Sequence, residues 1–227
     1  MNEVMHLSVK NTELFECGTF YIKPLIDSVC YPWEIIPLIK DYIAGLFENI
    51  PEGFTEYRPG VLTGKDVTIA PTAVIGPNVI IGEGSEIGPG AYIRGNALIG
   101  PHCTVGNSSE LKNCVLIGHV QVPHYNYVGD SVLGTYAHMG AGAVCSNLKS
   151  DKKNIVIHGD REYETGLRKI GGILGDHAEI GCHCVLNPGT VIGKYTSVYP
   201  LTSVRGVIPE GCIVKSMNDI IKRRTEE

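Results

Sequence analysis

Branched aliphatic residues recur every six positions through the middle of the chain, at Ile69, Ile75, Ile81, Ile87, Ile93, Ile99, Val105, Leu111 and Ile117. Two positions ahead of each stands a small or β-branched residue, from Val67 and Ala73 to Ser109 and Val115. The same phase resumes at Leu174, Ile180, Leu186, Ile192, Val198 and Val204. A period of six fits neither the 3.6 of a helix nor the alternation of a long half-buried strand, but it does fit a short strand followed by a corner. Glycine follows the aliphatic at positions such as 76, 82, 100, 106 and 175, where a sharp turn needs a residue without Cβ. Three hexads predict one triangular coil, in which each aliphatic stacks on its counterpart a coil later. The fold class expected is therefore β, a single-stranded parallel β-helix of about seven coils over 61–215.

The intervals shorten to five between Ile117, Val122, Val128, Leu133, Met139 and Cys145, which predicts a break in register. Residues 148–170 then abandon the period for a charged stretch, expected to be a loop expelled from the coil, and such loops often carry function. Upstream, Ile35, Leu38, Ile39, Tyr42, Ile43, Leu46 and Phe47 follow helical spacing and predict a linker-like helix over 33–48 within an N-terminal segment 1–60. Residues 1–31 are too mixed to place. The tail 216–227 is polar apart from Ile220 and Ile221 and is expected to form a short frayed helix.

Composition narrows the function classes. With 19 Lys and Arg against 24 Asp and Glu the chain carries a formal charge of −5, so no global basic field exists to hold nucleic acid. The eight cysteines include no CxxC pair and follow no cleavable apolar leader, which predicts free thiols in a soluble, cytoplasmic protein. The apolar run Ile35 to Phe47 is too short to span a bilayer, so no membrane partner is expected.

An ordered set of motifs sits on the interrupted coils: Arg94, Gly106-Asn107 with Glu110 and Lys112, Pro123-His124-Tyr125-Asn126-Tyr127-Val128-Gly129-Asp130, Gly140-Ala141-Gly142, Asn147, and Thr165-Gly166-Leu167-Arg168-Lys169. This set resembles the acetyltransferase half of the bifunctional N-acetylglucosamine-1-phosphate uridylyltransferase/glucosamine-1-phosphate acetyltransferase family, and is most similar to the archaeal-type sugar-1-phosphate nucleotidylyltransferases. The resemblance implies a left-handed β-helix assembled as a homotrimer, with sites between neighbouring subunits. It implies acetyl-CoA as acyl donor, the amine of an amino-sugar phosphate as acceptor, and no metal. Trp33 and the helix after it look like the linker behind the family's nucleotidylyltransferase domain. The 30 residues ahead of it are too few for a nucleotide-binding sheet, so nucleotidyl transfer is not expected.

Carried over by position, the resemblance makes His124 the general base, a role suited to histidine because that residue type titrates near neutrality. It sets Arg94, Lys112 and Lys153 against the sugar phosphate, and gives Tyr127, His138 and Asn147 contacts to sugar or acetyl. Ala141 falls where the cofactor meets the backbone, with N–H groups of Gly140 to Gly142 expected to hold the oxyanion. Cys182 and Pro200 would lie along the pantetheine arm, and Lys215 near the nucleotide phosphates. Departures from the family pattern at His138, Leu148 and Val156 bear on which sugar accepts.

Each of these residues also has a plainer explanation: a histidine at a coil corner, a solvated lysine, a tyrosine in packing, an asparagine capping a turn. Cys182-His183-Cys184 is expected to serve packing, with Cys184 at a small-residue core position. Two rival functions stand beside acyl transfer. His119 and His124, with His102 and His138 about a coil away, have the spacing of a zinc site in the γ-type carbonic anhydrases. A non-catalytic trimeric scaffold or regulator is the other.

Overall fold

The computed structural model describes residues 7, 9–16 and 19–223. Short parallel strands stack on three faces. The first face runs Val61–Thr63, Val79–Ile81, Ala97–Ile99, then the ends of Glu110–Leu116 and Tyr127–Leu133, then Gly172–Leu174, Thr190–Ile192 and Val207–Ile208. It therefore has eight rungs, one more than the seven coils the period suggested. The second face contains Thr104–Asn107, Gln121–His124 and His138–Met139; the third contains Tyr92–Ile93 and Val144–Cys145. The hexad aliphatics point inward as a continuous core, with Ile81, Ile99, Val105, Leu111 and Val122 fully buried.

The intervals of five do not break the register. Ala97 pairs with Cys114 and Cys114 with Ser131, so these coils are merely seventeen residues long where Val79 to Ala97 takes eighteen. A corner loses one residue and the ladder closes above it. The expelled loop obeys the same rule, since Val132 pairs with Ile173 and Val144 with Val185 across it. Within the loop, Val156–His158 and Glu162–Glu164 form an antiparallel hairpin.

The first face carries a second stripe of aliphatics, pointing outward: Leu62, Ile80, Leu98, Val115, Val132, Ile173 and Val191 are all fully buried. The N-terminal segment covers them with Ile22, Leu25, Trp33, Ile35, Ile39 and Ile43. Burial of side chains of this size contributes roughly 1.5–3 kcal/mol each. Polar bonds fix the docking: Tyr21 donates its hydroxyl to Ile99 O at 3.2 Å, and the Asp176 N–H reaches Leu14 O at 3.0 Å. The segment left unplaced by sequence, as far as it is described, thus holds the helices Asn11–Leu14 and Lys23–Asp27. Among the described residues no helix is long and apolar enough to cross a membrane.

Two local expectations are corrected. Helix over 33–48 reduces to a 3-10 turn, Pro32–Glu34, and an α-helix, Ile39–Glu48, because Pro37 lacks the N–H that would carry one helix through both. The polar tail, as far as residue 223, is no helix, and the rest of it lies outside the described residues: Asp219–Lys222 pairs antiparallel with Cys212–Ser216, setting Ile220 opposite Val214 against the core. At the other end Thr55–Arg58 folds back on Val61–Thr63, so an antiparallel hairpin closes each end of the stack and blunts its open edge.

Candidate functional site

The corner between the second and third faces carries a column of residues in backbone register. The Tyr125 N–H donates to Asn107 O at 2.9 Å, Gly142 to His124 O at 2.9 Å, His183 to Ala141 O at 2.8 Å and Leu201 to Cys182 O at 2.9 Å. Asn107, His124, Ala141, Cys182 and Pro200 therefore follow one another coil by coil, although they are scattered in sequence. The residue after each takes a left-handed backbone conformation, with φ of 53° at Ser108, 54° at Tyr125, 70° at Gly142, 55° at His183 and 63° at Leu201.

His124 ends its strand with an exposed side chain. Asn126, which is 2% exposed, fixes its backbone: Oδ1 accepts the His124 N–H at 3.0 Å, while Nδ2 donates to Gly140 O at 2.8 Å and Ala143 O at 3.1 Å. One buried amide thus ties His124 to the Gly140-Ala141-Gly142 turn. Within that turn the Gly140 N–H is spent on Ile180 O and the Gly142 N–H on His124 O. Among the described residues no acceptor meets the Ala141 N–H. The expected trio of oxyanion donors narrows to that one group.

Across the third face the next corner gathers the polar candidates. Tyr127 is flanked by Glu110 on one coil and Val144 on the next. Arg94 meets Glu110 at 3.1 Å, half exposed. Lys112 Nζ lies 3.2 Å from Asp130, whose side chain is 6% exposed and also accepts the amides of Asn113 at 2.9 Å and Asn147 at 2.5 Å. The Asn147 amide reaches the Tyr127 hydroxyl at 3.3 Å as well. Burial first, then the charges of Asp130 and Glu110, push the Tyr127 phenol above its ordinary range. Arg94, Lys112, Tyr127 and Asn147 are thereby brought together beside the His124 corner.

The remaining candidates are more dispersed. His138 lies on the second face, three residues before Ala141, and its Nδ1 is 2.9 Å from Glu179. Lys215 lies near the far end of the stack, one coil beyond Tyr199, with Nζ 3.7 Å from Asp219. Lys153 sits in the loop, where its N–H caps Asp151 at 3.0 Å, and no contact joins it to the other basic candidates. A cavity of about 880 Å³ opens between the loop and the later coils, lined by Ser146, Lys149, His158, Asn187 and Arg205 among others and by none of the candidates. Cys103, Cys145 and Cys184 are buried, as packing requires, and burial pushes the Cys103 thiol up to about 12. Cys182 is exposed.

Sequence reasoning included Asn126, Asp130 and Glu110 in the motif set but gave them no role. Asp130 had a visible signal, a lone carboxylate inside the apolar run Tyr127–Leu133; Asn126 had none beyond lying in the quoted string. The histidines offered as zinc ligands stand apart. His102 and His119 stack ring on ring at 4.9 Å at the corner before the second face, while His124 closes the far end of the strand. His119 sits on the left-handed corner with φ of 51°, and the strand Gln121–His124, rising about 3.3 Å per residue, carries His124 away from it to the opposite corner. Among the described residues no three His, Cys, Asp or Glu converge.

Family comparisons agree with this ladder. The bacterial transferase hexapeptide profile (six repeats) matches residues 60–95, and the GMPPB C-terminal domain profile matches 83–161. A bifunctional sugar-1-phosphate nucleotidylyltransferase/acetyltransferase of Sulfurisphaera tokodaii is 35% identical over 94 residues, 41% of this chain and 23% of that protein. The bifunctional protein GlmU of Methanococcus aeolicus is 31% identical over 115 residues, 51% of this chain and 28% of that protein. The chain thus matches about a quarter of the length of these relatives. A crystal structure of a GDP-perosamine N-acetyltransferase variant from Caulobacter crescentus, with CoA and GDP-perosamine, aligns over 70% of this chain and 57% of that one, at 19% identity and a TM-score of 0.40. Repeat, ladder and sequence likeness make the chain similar to the hexapeptide-repeat transferases over residues 60–95 and to the GMPPB C-terminal domain over 83–161.

Proposed function

We propose that the chain transfers acetyl from acetyl-CoA to the amine of an amino sugar, a hexosamine 1-phosphate in the first instance. The observation that carries this reading is the pairing of exposed His124 with the unengaged Ala141 N–H, one coil apart in a single column and joined through Asn126. His124 would take the proton of the sugar amine as its nitrogen attacks the thioester carbonyl. The Ala141 N–H would hold the developing oxyanion, and collapse would expel the CoA thiolate, which recovers a proton from His124. Arg94 and Lys112 supply positive charge for the sugar phosphate. The column continuing through Cys182 and Pro200 supports a path for the pantetheine arm, with Lys215 at its far end. The likeness to the bifunctional relatives supports this reading, and with it a left-handed coil and a homotrimer.

A second reading, a non-catalytic trimeric scaffold, is favoured by one observation: Lys112 and Asn147 are engaged internally by Asp130. Thiol release from acetyl-CoA separates the two. Glucosamine 1-phosphate, galactosamine 1-phosphate and unphosphorylated amino sugars are offered to the wild type and to His124→Ala. Release with one acceptor, reduced at least about 100-fold in the variant, is expected. Undiminished turnover in the variant would remove His124 from the mechanism, and no release with any acceptor would favour the scaffold.

A further inference from the structure

We propose that residues 148–170 fold back on themselves to build a phosphate-binding groove from Lys152, Arg168 and Lys169. These three line a groove of about 500 Å³ together with Leu148 and Leu167. The groove is preformed. Leu148 and Lys169 make an antiparallel bridge at the loop stem, and the Ile155 N–H reaches Leu167 O at 2.8 Å. The Thr165 hydroxyl donates to Ile155 O at 2.5 Å and accepts the Leu167 N–H at 3.1 Å, while Gly166 takes φ of 70°. The Thr165-Gly166-Leu167-Arg168-Lys169 string is therefore a turn that sets Arg168 and Lys169 opposite Lys152, and Arg168 Nε bonds Lys152 O at 3.2 Å. Ile155, Ile157 and Ile170 anchor the loop in the second core.

Charge in the loop is distributed unevenly. Asp151 is held by Lys149 at 3.4 Å, Asp160 by the Tyr163 hydroxyl at 2.7 Å, and Glu162 by His158 at 3.3 Å. Among the described residues no carboxylate meets Lys152, Arg168 or Lys169. Three cations held together in a concavity repel one another, and a phosphate relieves that repulsion while accepting charge-assisted hydrogen bonds. The stem is tied to the site already described through Asn147, whose carbonyl accepts the Ile170 N–H at 3.1 Å and whose amide touches Tyr127. The source of the phosphate, the acceptor sugar or CoA, rests on the acetyltransferase reading; phosphate binding itself does not.

Calorimetric titration of the full chain tests this with inorganic pyrophosphate, CoA and glucosamine 1-phosphate as separate probes. Arg168→Gln and Lys169→Gln should each weaken pyrophosphate about tenfold. Lys169→Arg should retain binding, and Lys65→Gln, at an exposed lysine beside Asp66, should leave it unchanged. Whichever of CoA or the sugar phosphate weakens in parallel identifies the source. Absence of pyrophosphate binding in the wild type, unchanged affinity in both groove variants with melting temperatures intact, or an equal loss in Lys65→Gln would overturn the proposal. A chain that binds pyrophosphate through the groove and transfers no acetyl would keep the groove and remove the enzyme.

Discussion

Lys112 and Asp130 meet at 3.2 Å across one coil, and the same carboxylate holds the amides of Asn113 and Asn147. Asp130 is thus the hub of the corner, and part of the charge that Lys112 would offer a phosphate is already answered. Asp130→Ala removes the acceptor of three donors and leaves Lys112 partly buried without its counter-charge. A loss of about 3 kcal/mol is expected, the low end for a broken buried pair because Lys112 keeps access to water. Urea denaturation measures it. A double-mutant cycle with Asn147→Ala should give a coupling above about 0.5 kcal/mol. Strict additivity would show that Asn147 does not depend on this carboxylate.

Asn126 performs the corresponding task at the His124 corner. Asn126→Ala takes the side-chain donor from the Ala143 carbonyl, one of two donors from the Gly140 carbonyl and the acceptor from the His124 N–H, at a cost of about 2 kcal/mol. Asn126→Asp is expected to cost more, since it turns a carboxylate oxygen toward those two carbonyls. Under the acetyltransferase reading both variants should lower kcat more than they raise KM for acetyl-CoA, because the base and the Ala141 N–H lose their common brace. Steady-state kinetics with thermal melts checks this; full kcat in a destabilised Asn126→Ala would count against the brace.

The inward half of the fold was readable because the interior imposes one demand at a fixed interval, and Ile69 to Ile117 answer it without exception. The outward half was harder to read, although Leu62, Ile80 and Leu98 recur once per coil. A hexad count registers only the inward position, and nothing in the string says which face another segment will cover. The tail was misread as helix because Ile220 and Ile221 suit either element, and only the open edge at Cys212–Ser216 decides between them. For the site, residue identities came from the motifs, but the column of His124, Ala141, Cys182 and Pro200 depends on a seventeen-residue coil and an expelled loop that preserve register. Asp130 and Asn126 act through side-chain bonds between coils, which no linear pattern encodes.

Leu98 tests the docking of the N-terminal segment. It is fully buried yet points away from the interior of the coil, against the covering residues. Leu98→Ala should cost about 2–5 kcal/mol, as for a core leucine, and Leu98→Asp more. Thr68→Asp, at an exposed outward position on the second face, should be close to neutral. Chemical denaturation of the three variants decides the matter. Equal tolerance at Leu98 and Thr68 would mean that the second core contributes little.

His119 is expected to make the stability of the stack sensitive to acid. Five rings, His102, His119, Tyr136, His177 and Tyr195, pile up at the corner before the second face with centroids 4.4–5.0 Å apart, each on a backbone with φ between 51° and 60°. Burial, and then the neighbouring His102, hold the His119 imidazole below its ordinary value of 6.5. The folded chain therefore binds fewer protons there than the unfolded chain once the pH drops below that value, and stability is lost as the pH falls from 6.5 toward the folded pKa. Above 6.5 both states are neutral at this residue and the effect vanishes. Tyrosine already occupies equivalent rungs at 136 and 195 in the same backbone conformation, so His119→Tyr should preserve the stack and remove the proton. Melting temperatures from about pH 7 to 5 are expected to decline less steeply in the variant than in the wild type. Parallel curves would place the acid sensitivity elsewhere, since His102 and Tyr136 are the rings that face His119.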